Sequence, residues 1–349
     1  MTEEVEDVTH IGRCIDMEKK YQLKTIETHT AGEPTRILVS GINLFPIFGR
    51  SVAEQRDLFA EKYDDVRELL MKEPRGHDDM FGAIPMKTEM SEADIGAIFM
   101  HTTGYLDMCG HGTIGIVTAL METGFLPEKE KINIETPAGL VECRVAIEED
   151  KVKEVSVKNV DSFVLGKKNV EFDNAGEKSD VEIDLVYSGN LVGLVDVKDL
   201  GYTIDIDELD TLKKIGIELR DRLNEENEFV NPLTGNKEEV SLLEFYETME
   251  DVDRNIVVFA DGSIDRSPCG TGTCAKMTLL HHKGLLDVNE EYRYRSILGT
   301  EFSGRILDTE KKNEITVVKP EITGSAYITG RSTFILDPKD PLTGFSLYK

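Results

Sequence analysis

The sequence predicts a mixed α/β (α+β) fold made of two pseudo-symmetric domains. Its 349 residues exceed the size at which one hydrophobic core usually stops growing. Short β-branched segments alternate along the chain with amphipathic stretches of helical spacing. A C-G-x-G-T motif also occurs twice, at Cys109 and 160 residues later at Cys269, with four of its five positions identical. Repetition at this distance indicates duplication.

Composition divides the chain into an extension and two domains. Residues 1–20 are charged and carry few large apolar side chains, which is typical of a loosely attached acidic N-terminal extension. A polar, turn-rich stretch, Gly166–Asp180, separates the two halves. We therefore expect an N-terminal domain over residues 21–168, with the segment 326–349 as a candidate to complete it, and a C-terminal domain over residues 169–325.

The first half is predicted to open with a strand pair, LKTIETHT and PTRILVSG, around the turn-forming Ala31–Pro34. Apolar residues at helical spacing predict an amphipathic helix over residues 51–73, which Pro74 ends. The remaining strands predicted in this half cover residues 95–102, 131–137, 139–149 and 151–160.

The second half repeats this order. Strands are predicted from residue 181 to residue 197, followed by a helix at about Ile206–Asn227 and a strand over residues 255–260. Closing strands reach ITGRSTFIL. In both halves an apolar helical run follows the cysteine motif and ends at a glycine, Gly124 or Gly284.

Charge and composition narrow the classes of function. Forty basic against 67 acidic residues give a net charge of −27, which repels phosphate backbones and predicts that nucleic acid is not a partner. Apolar residues make up 40 %, and no run approaches the ~20 residues that span a bilayer. The acidic start also lacks the features of a signal peptide. A cytoplasmic protein without a membrane partner is expected.

The five cysteines, at positions 14, 109, 143, 269 and 274, form an odd and sparse set that favours free thiols. Cysteine is often only a small buried residue, so one C-G-x-G-T motif would be weak evidence for function. Two copies at equivalent places favour a catalytic pair, Cys109 and Cys269. Cys14, Cys143 and Cys274 lack this context, and we interpret them as residues of the tail, a strand and a helix.

Each motif combines a thiol with a predicted helix start. The glycines let the backbone approach a ligand, and the first N–H groups of the helix point at the same spot. The helix dipole is expected to favour the thiolate over the thiol. Pairing of the two halves would then place a thiol on each face of one substrate α-carbon. The expected N–H donors to the substrate carboxylate are Gly110, His111, Gly270 and Thr271.

This arrangement predicts an amino-acid racemase or epimerase that needs no cofactor. One cysteine, as thiolate, removes the α-proton from one face, while the other, as thiol, delivers a proton to the opposite face. N–H donors aimed at the carboxylate stabilise the carbanion as it forms. No lysine stands out in a motif, so pyridoxal chemistry is not indicated.

Other sites were weighed against this one. A zinc site of Cys109, His111 and Cys269 would lack the fourth ligand and the C-x-x-C spacing of structural zinc. A phosphate loop would need a Gly-Lys-Ser/Thr continuation that neither motif has. A cysteine hydrolase leaves the second motif unexplained. We predict that the site holds no metal.

Further motifs along nearly the whole chain after residue 20 resemble the proline racemase family, which includes hydroxyproline epimerases and a 3-hydroxyproline dehydratase. The matching residues are His29-Thr30, Gly32-Glu33-Pro34, Arg36, Pro74-Arg75-Gly76-His77-Asp78-Asp79-Met80, Met108 to Gly112, and Asp265 to Thr273. The resemblance implies a diaminopimelate-epimerase-like fold, in which each domain wraps its strands around a central helix. It also implies a homodimer, with a small imino acid enclosed between the two domains.

The resemblance also suggests residue roles. His111 and Asp265 would approach the substrate amine, while the glycine-rich amides hold its carboxylate. The family's dehydratases carry threonine at the position of the second cysteine, so Cys269 argues against dehydration. Phe81 and Phe259 are similar to wall residues of proline racemases, although either could be an ordinary core aromatic.

Two apolar rings would leave a ring hydroxyl unpaired at a cost of about 1–3 kcal/mol, which favours proline over 4-hydroxyproline. A 4-hydroxyproline 2-epimerase remains the alternative, and a non-catalytic amino-acid-binding relative is a second one. One departure concerns Leu191 and Val192, where many family members carry two phenylalanines. It predicts altered ring packing or a different substrate size.

Overall fold

The computed structural model describes residues 21–174, 176–260 and 262–347. The predicted extension over residues 1–20, with Cys14, lies outside the described residues. The first half contains, in chain order, β1 (Gln22–Thr30), β2 (Glu33–Ser40), α1 (Val52–Met71), β3 (Phe81–Met86), β4 (Ile95–His101), β5 (Tyr105–Leu106), α2 (Gly110–Glu122), β6 (Lys131–Thr136), β7 (Gly139–Glu148) and β8 (Lys151–Lys158).

The second half follows the same plan as the first. Short 3-10 helices also lie between the larger elements, at Phe45–Ile47 in the first half and at Val197–Leu200 and Ile206–Glu208 in the second. Its elements are β9 (Phe163–Asn174), β10 (Glu177–Tyr187), β11 (Leu191–Asp196), α3 (Leu209–Glu226), β12 (Phe229–Val230), β13 (Lys237–Glu238), β14 (Val240–Glu247), β15 (Asp253–Phe259), β16 (Ser263–Ile264), α4 (Gly270–His282), β17 (Tyr292–Arg295), β18 (Glu301–Lys312), β19 (Ile315–Gly324) and β20 (Ala326–Ile335).

Each half wraps its strands around one helix. In the first half the hydrogen-bonded order is β20-β1-β2-β3-β4-β6-β7-β8, and α2 packs inside it against β1, β2, β8 and β20. In the second half the order is β9-β10-β11-β14-β15-β17-β18-β19, and α4 packs against β9, β18 and β19. Pairing of β8 with β19 joins the halves into one sheet. The pseudo-symmetric fold implied by the resemblance is thereby confirmed.

The two central helices are buried because their sequences carry few polar residues. Every position of α2 from Gly110 to Met121 is buried, as is every position of α4 from Gly270 to Leu279. Gly124 and Gly284 follow the two helices with φ of 75° and 70°, the left-handed conformation that glycine adopts at low cost. The helical run and its terminating glycine are confirmed in both halves.

The two amphipathic helices lie outside the strands. Ser51 caps α1 in a capping box with Glu54, and the helix packs against β3 and β4 through residues such as Phe59. In the second half, α3 packs against β9 and β14 through residues such as Leu219. Both helices confirm the sequence prediction. None of the described helices is long and apolar enough to cross a membrane.

The polar stretch Gly166–Asp180, predicted to be rich in turns, is mostly strand. This stretch belongs to a long hairpin of β9 and β10, in which buried apolar residues alternate with exposed Lys, Glu and Asp. The many charged residues on the outer face obscure the alternation of apolar and polar residues in the sequence, so the segment resembles a turn. The predicted division at residue 168 lies within β9, which contacts α3 and α4 of the second half.

Two further strands belong to the first half, β20 from the candidate segment 326–349 and β3. β20, near the end of the chain, pairs with β1 over nine positions and closes the first half opposite β8. β3 was not predicted as a strand because it contains Gly82 and Pro85, which weaken strand propensity. A Cβ at Gly82 would meet the Met71 and Met100 methyl groups at 2.7 and 2.8 Å, so both methionine side chains would have to shift to admit one.

Candidate active site

The two cysteine-bearing helices meet at their first residues. Cys109 is the N-cap of α2 and Cys269 is the N-cap of α4. A Cβ on Gly110 would lie 2.7 Å from the Cα of Gly270, and a Cβ on Gly270 would lie 2.6 Å from the Cα of Gly110. Only glycine allows this approach, which brings both thiols to one space between the halves.

Both thiols make the same hydrogen bond to their own helix. The N–H of Gly112 donates to the Sγ of Cys109 at 3.3 Å, and the N–H of Gly272 donates to the Sγ of Cys269 at 3.3 Å. The first N–H groups of a helix have no partner within it. Those of Gly110, His111, Gly270 and Thr271, which all line the space between the halves, can therefore serve an anion there.

Equivalent side chains hold the two helix starts in place. Thr30 Oγ1 donates to the carbonyl of His111 at 3.0 Å, and Ser188 Oγ donates to the carbonyl of Thr271 at 3.0 Å. In addition, Asn190 Nδ2 donates to the carbonyl of Met108 at 3.2 Å and so links the second half to the residue before Cys109. These bonds fix the direction in which each first turn points.

The backbone differs at the two cysteines. Cys109 is extended, with φ −147°, whereas Cys269 has φ 57°, a conformation that costs a non-glycine residue about 1–3 kcal/mol. A hydrogen-bond relay supports it: the N–H of Cys269 donates to Ser267 Oγ at 3.1 Å, and Ser267 Oγ donates to Asp265 Oδ1 at 2.7 Å. The loop before α4 thus holds the second thiol in a strained position.

A closed cavity of about 20 Å³ lies between the helix starts. All nine residues predicted for catalysis and substrate binding line it, namely Cys109, Cys269, Gly110, His111, Asp265, Gly270, Thr271, Phe81 and Phe259. Sequence reasoning missed four apolar lining residues, Leu106, Met108, Leu242 and Val257. These come from strands and a loop whose apolar character resembles that of any core segment, and Met108 alone was quoted within a motif.

His111 and Asp265 lie beside the first thiol. His111 Nδ1 is 3.2 Å from the Sγ of Cys109 and 3.9 Å from Asp265 Oδ2, and its ring meets Phe81 edge-on with 4.5 Å between centroids. Burial lowers the pKa of His111, while the Asp265 carboxylate acts in the opposite direction. The net direction favours a neutral imidazole near neutral pH.

A further carboxyl group, Glu33, is buried beside this pair. Its Oε2 accepts the N–H of Arg266 at 2.7 Å, and its Oε1 has no hydrogen-bond partner among the described residues. Burial, with the charge of Asp265, raises its pKa well above the ordinary value. Glu33 appeared in the sequence only as part of a motif, without an assigned role.

The helix starts favour the thiolate as expected, but burial of the two thiols outweighs them. Burial raises the pKa of both Cys109 and Cys269 well above the ordinary value, and the negative charge of Asp265 adds to it. The N–H donors of Gly112 and Gly272 lower the two pKa values but do not outweigh burial. Desolvation of a thiolate costs more than one neutral donor returns.

The motif around Asp79 closes the site from outside. Arg266 donates to Asp79 Oδ2 at 2.7 Å, and the N–H of Ile264 donates to Asp79 Oδ1 at 3.2 Å. Ser263 Oγ also donates to the carbonyl of Asp78 at 2.9 Å. These contacts join the loop before β3 to β16 and to the loop before α4.

Leu191 and Val192 do not line the cavity. Both lie in β11 and are buried in core clusters, and the second-half wall is formed instead by residues of β14 and β15. Altered ring packing or a different substrate size at this departure stays a prediction, and any such effect reaches the cavity through the core rather than by direct contact. Among the described residues, Cys109, His111 and Cys269 also do not form part of any group of three side chains placed to hold a metal ion.

Comparison with known proteins agrees with this geometry. The proline racemase family model matches residues 25–346. A proline racemase of Acetoanaerobium sticklandii is 43 % identical over 93 % of this chain and 98 % of its own length. A 4-hydroxyproline 2-epimerase of Streptosporangium roseum is 37 % identical over 95 % of this chain and all of its own length, 100 %.

Solved structures are also similar. A hydroxyproline epimerase from Agrobacterium vitis, crystallised with bound trans-4-hydroxy-L-proline, superimposes with a TM-score of 0.86 at 27 % identity. The match covers 93 % of this chain and 96 % of that one.

Proposed function

The chain belongs to the proline racemase family, and we propose that it racemises proline without a cofactor, using Cys109 and Cys269 as a pair of acid–base groups. The observation that carries this proposal is the meeting of the two helix starts at Gly110 and Gly270, which brings both thiols to one cavity. Burial of a single thiol has a simple structural explanation. Two thiols converging from duplicated helices do not.

The substrate carboxylate would bind at the helix starts. The N–H groups of Gly110, His111, Gly270 and Thr271 line the cavity from both sides and carry the positive ends of two helix dipoles. As the α-proton leaves, negative charge moves onto the carboxylate oxygens. The same donors then bind the enediolate more strongly than the ground state, which lowers the barrier.

The substrate amine would bind beside Asp265 and His111. A secondary ammonium ion there places a positive charge near both thiols, each of which faces the Asp265 carboxylate, with Glu33 also acting on Cys109 and Glu244 on Cys269. This cation offsets the carboxylates that raise the pKa of Cys109. Substrate binding thus supplies a positive charge that lowers the pKa of the thiol, which the helix dipole alone does not do sufficiently.

Proton transfer then proceeds from one face to the other. One cysteine, as thiolate, takes the α-hydrogen as a proton, and the C–H electron pair passes into the carboxylate to form the enediolate. The opposite cysteine, as thiol, gives its proton to the α-carbon, and the electron pair returns to form the new C–H bond. The two cysteines have exchanged protonation states, and the product is the other enantiomer.

The cavity must open before substrate can enter. Its volume of about 20 Å³ has room for little more than one water molecule. Parting of the two halves at the Asp79–Arg266 contact would admit an imino acid, and closing would then exclude water from the carbanion.

The cavity wall favours an unsubstituted ring. Phe81, Phe259, Leu242 and Val257 present apolar groups, and a ring hydroxyl against them would lack a hydrogen-bond partner. The alternative substrate, 4-hydroxyproline, has a specific observation in its favour, because the solved relative holds trans-4-hydroxy-L-proline in a fold of the same shape. If 4-hydroxyproline is the substrate, an open form of the protein would have to supply a hydrogen-bond partner for its ring hydroxyl.

The test offers L-proline, D-proline and trans-4-hydroxy-L-proline separately to the purified protein and follows optical rotation. We expect both proline enantiomers to racemise, and the α-hydrogen to exchange with deuterium from the solvent. A binding protein would leave the α-hydrogen in place, so absence of exchange would reject catalysis. Preference for hydroxyproline would replace proline with the epimerase reaction. A cytoplasmic location and a homodimer, testable by fractionation and by solution scattering, also belong to this proposal.

A further inference from the structure

A buried polar cluster lies behind the second catalytic helix. Glu244, on β14, is fully buried, and its Oε1 accepts hydrogen bonds from Tyr294 Oη at 2.5 Å and from Asn255 Nδ2 at 3.5 Å. Its Oε2 has no hydrogen-bond partner among the described residues. A carboxyl oxygen left in this state is costly, and it calls for a reason.

Glu244 contacts the first turn of α4. A Cβ on Gly272 would collide with Glu244 Oε2, so the carboxyl group occupies the space that a side chain at Gly272 would need. The N–H of Gly272 is the group that donates to the Sγ of Cys269. A second link runs through Asn255 Nδ2, which also donates to the carbonyl of Pro268 at 2.8 Å, next to Cys269.

The first half has no counterpart of this cluster. In the paired strands, Ala83 lies opposite Phe99 as Glu244 lies opposite Val257. Beneath Gly112, the ring of Phe99 fills the place that Glu244 takes beneath Gly272.

Three other positions show the same exchange of polar for apolar. β4 and β6 match β15 and β17, which relates Ala97 to Asn255 and Ile134 to Tyr294. Equal spacing from the two cysteines relates Ile116 to Lys276. Ala83, Ala97, Ile116 and Ile134 are all fully buried apolar residues.

We propose that Glu244 is a positioning residue for Cys269 alone. The negative charge of Glu244, which acts through the first turn of α4, holds the Cys269 thiol in its protonated form. The inference rests on the proposed two-thiol function. It adds that the two thiols have different proton affinities because different side chains pack around the two helix starts. A carboxylate against a helix start opposes the dipole that would otherwise favour a thiolate there.

Charged groups face the cluster from several elements, and Asp253, Asp196 and Lys283 all act on Lys276. Glu244 faces Tyr294 from β17, Lys276 from α4 and Asp265 from the loop before α4. Burial raises the pKa of Glu244 to about 7, although the Tyr294 hydrogen bond and the Lys276 charge lower it. The Lys276 Nζ lies 3.0 Å from the centroid of the Tyr246 ring. Cys269 itself faces Asp265, Glu244 and, from α2, Cys109.

The experiment measures the pH midpoint of alkylation at each thiol. The full chain and its Glu244→Gln variant are treated with iodoacetamide over a range of pH, and the labelled peptides of Cys109 and Cys269 are quantified separately. Glutamine keeps the size of the side chain and removes its charge. We expect Glu244→Gln to lower the midpoint of Cys269 by about one pH unit and to leave that of Cys109 in place.

Glu247→Gln is the matched control, because Glu247 is a buried carboxyl on the same strand that accepts the N–H of Ile204 rather than contacting α4. It should move neither midpoint. An unchanged Cys269 midpoint in Glu244→Gln, or an equal shift at both thiols, would overturn the proposal. If Glu244→Gln does not fold, Tyr294→Phe takes its place: loss of the hydrogen bond favours neutral Glu244 and should lower the Cys269 midpoint by a smaller amount. Labelling needs no turnover, so this result stays separate from a failure to racemise proline.

Discussion

The two halves of the molecule share the backbone arrangement that forms the active site and differ in the side chains that pack around it. In both, an N-cap cysteine, a glycine pair and a buried helix point at one cavity, and a hydroxyl from a neighbouring element holds the second helical carbonyl. Behind α2 the support is alanine, phenylalanine and isoleucine. Behind α4 it is glutamate, asparagine, tyrosine and lysine. The geometry that the chemistry needs is kept, whereas the electrostatic surroundings of the two thiols have diverged.

The largest expected effect tests whether the two halves are equal partners in catalysis. Cys109→Ala and Cys269→Ala should each reduce racemisation by a factor of about 10²–10⁴ or more, because each thiol is the acid–base group on its own face. Slow exchange of the α-hydrogen from the remaining face is compatible with this result. Optical rotation measures racemisation, and deuterium incorporation measures exchange.

Cys274→Ala is the control, since Cys274 is buried in α4 but does not line the cavity. It should retain racemisation. Near-normal racemisation by Cys269→Ala would mean that a single thiol serves both faces, and the symmetric mechanism would have to be abandoned.

A second prediction breaks the contact between the halves. Gly110→Ala and Gly270→Ala each place a Cβ within 2.7 Å of the opposite Cα, so the helix starts must separate. We expect a loss of stability of about 1–3 kcal/mol with a large fall in kcat, because both thiols and their N–H donors shift. Thermal unfolding and optical rotation report the two effects.

The matched control for this pair is Gly330→Ala, on β20, where an added Cβ meets no atom within 4 Å. It should leave both stability and rate nearly unchanged. If Gly110→Ala were as mild as Gly330→Ala, the two helices would not meet as closely as described.

Gly110 and Gly270 also show how much of the site could be predicted from the sequence. The duplicated motif predicted the helix starts, their terminating glycines and six of the lining residues, since each follows from local spacing. Asp265, Phe81 and Phe259 were predicted only from the resemblance to the family. Glu33 and Arg36 were visible only as motif residues. Arg36 serves the fold, as its guanidinium donates to the carbonyls of Leu70 and Arg75.

The remainder depends on which strands become neighbours. Leu242 and Val257 line the cavity from the paired strands β14 and β15, and Glu244 on β14 contacts the first turn of α4 at Gly272. No local pattern in either strand records these contacts. The part of the β9–β10 hairpin over Gly166–Asp180 resembles a turn-rich stretch in the sequence because its exposed face is densely charged. Sheet register is a long-range property, so a single sequence predicts it poorly.

A third prediction uses the stability of the second half. The pKa of Glu244 is raised from 4.5 to about 7 by burial, so its neutral form favours the folded state. This contribution is complete below the unfolded pKa and is lost as pH rises through about 7, with a size on the order of 3 kcal/mol. Glu244→Gln should therefore become more stable relative to the unmodified protein as pH rises through this range.

Melting temperatures of the two proteins across this pH range provide the measurement. In the first half, Ala83 occupies the equivalent position, so its surroundings contribute no such pH dependence. A difference in melting temperature that stays constant with pH would show that Glu244 carries the same charge throughout.

The smallest expected effect concerns the wall of the cavity, where the halves contribute unequally. Phe81 comes from β3 and Phe259 from β15, and Leu242 and Val257 add to the second-half side. We expect kcat/KM for proline to exceed that for trans-4-hydroxy-L-proline by about tenfold, the factor that corresponds to ~1.4 kcal/mol. Phe81→Ser should narrow this ratio, because a serine hydroxyl can pair with the ring hydroxyl while proline loses apolar contact. Phe45→Ser is the control, since Phe45 is 78 % exposed and distant from the lining residues. A ratio that Phe81→Ser leaves untouched would assign the preference to the second half, and Leu242 would then be the next residue to substitute.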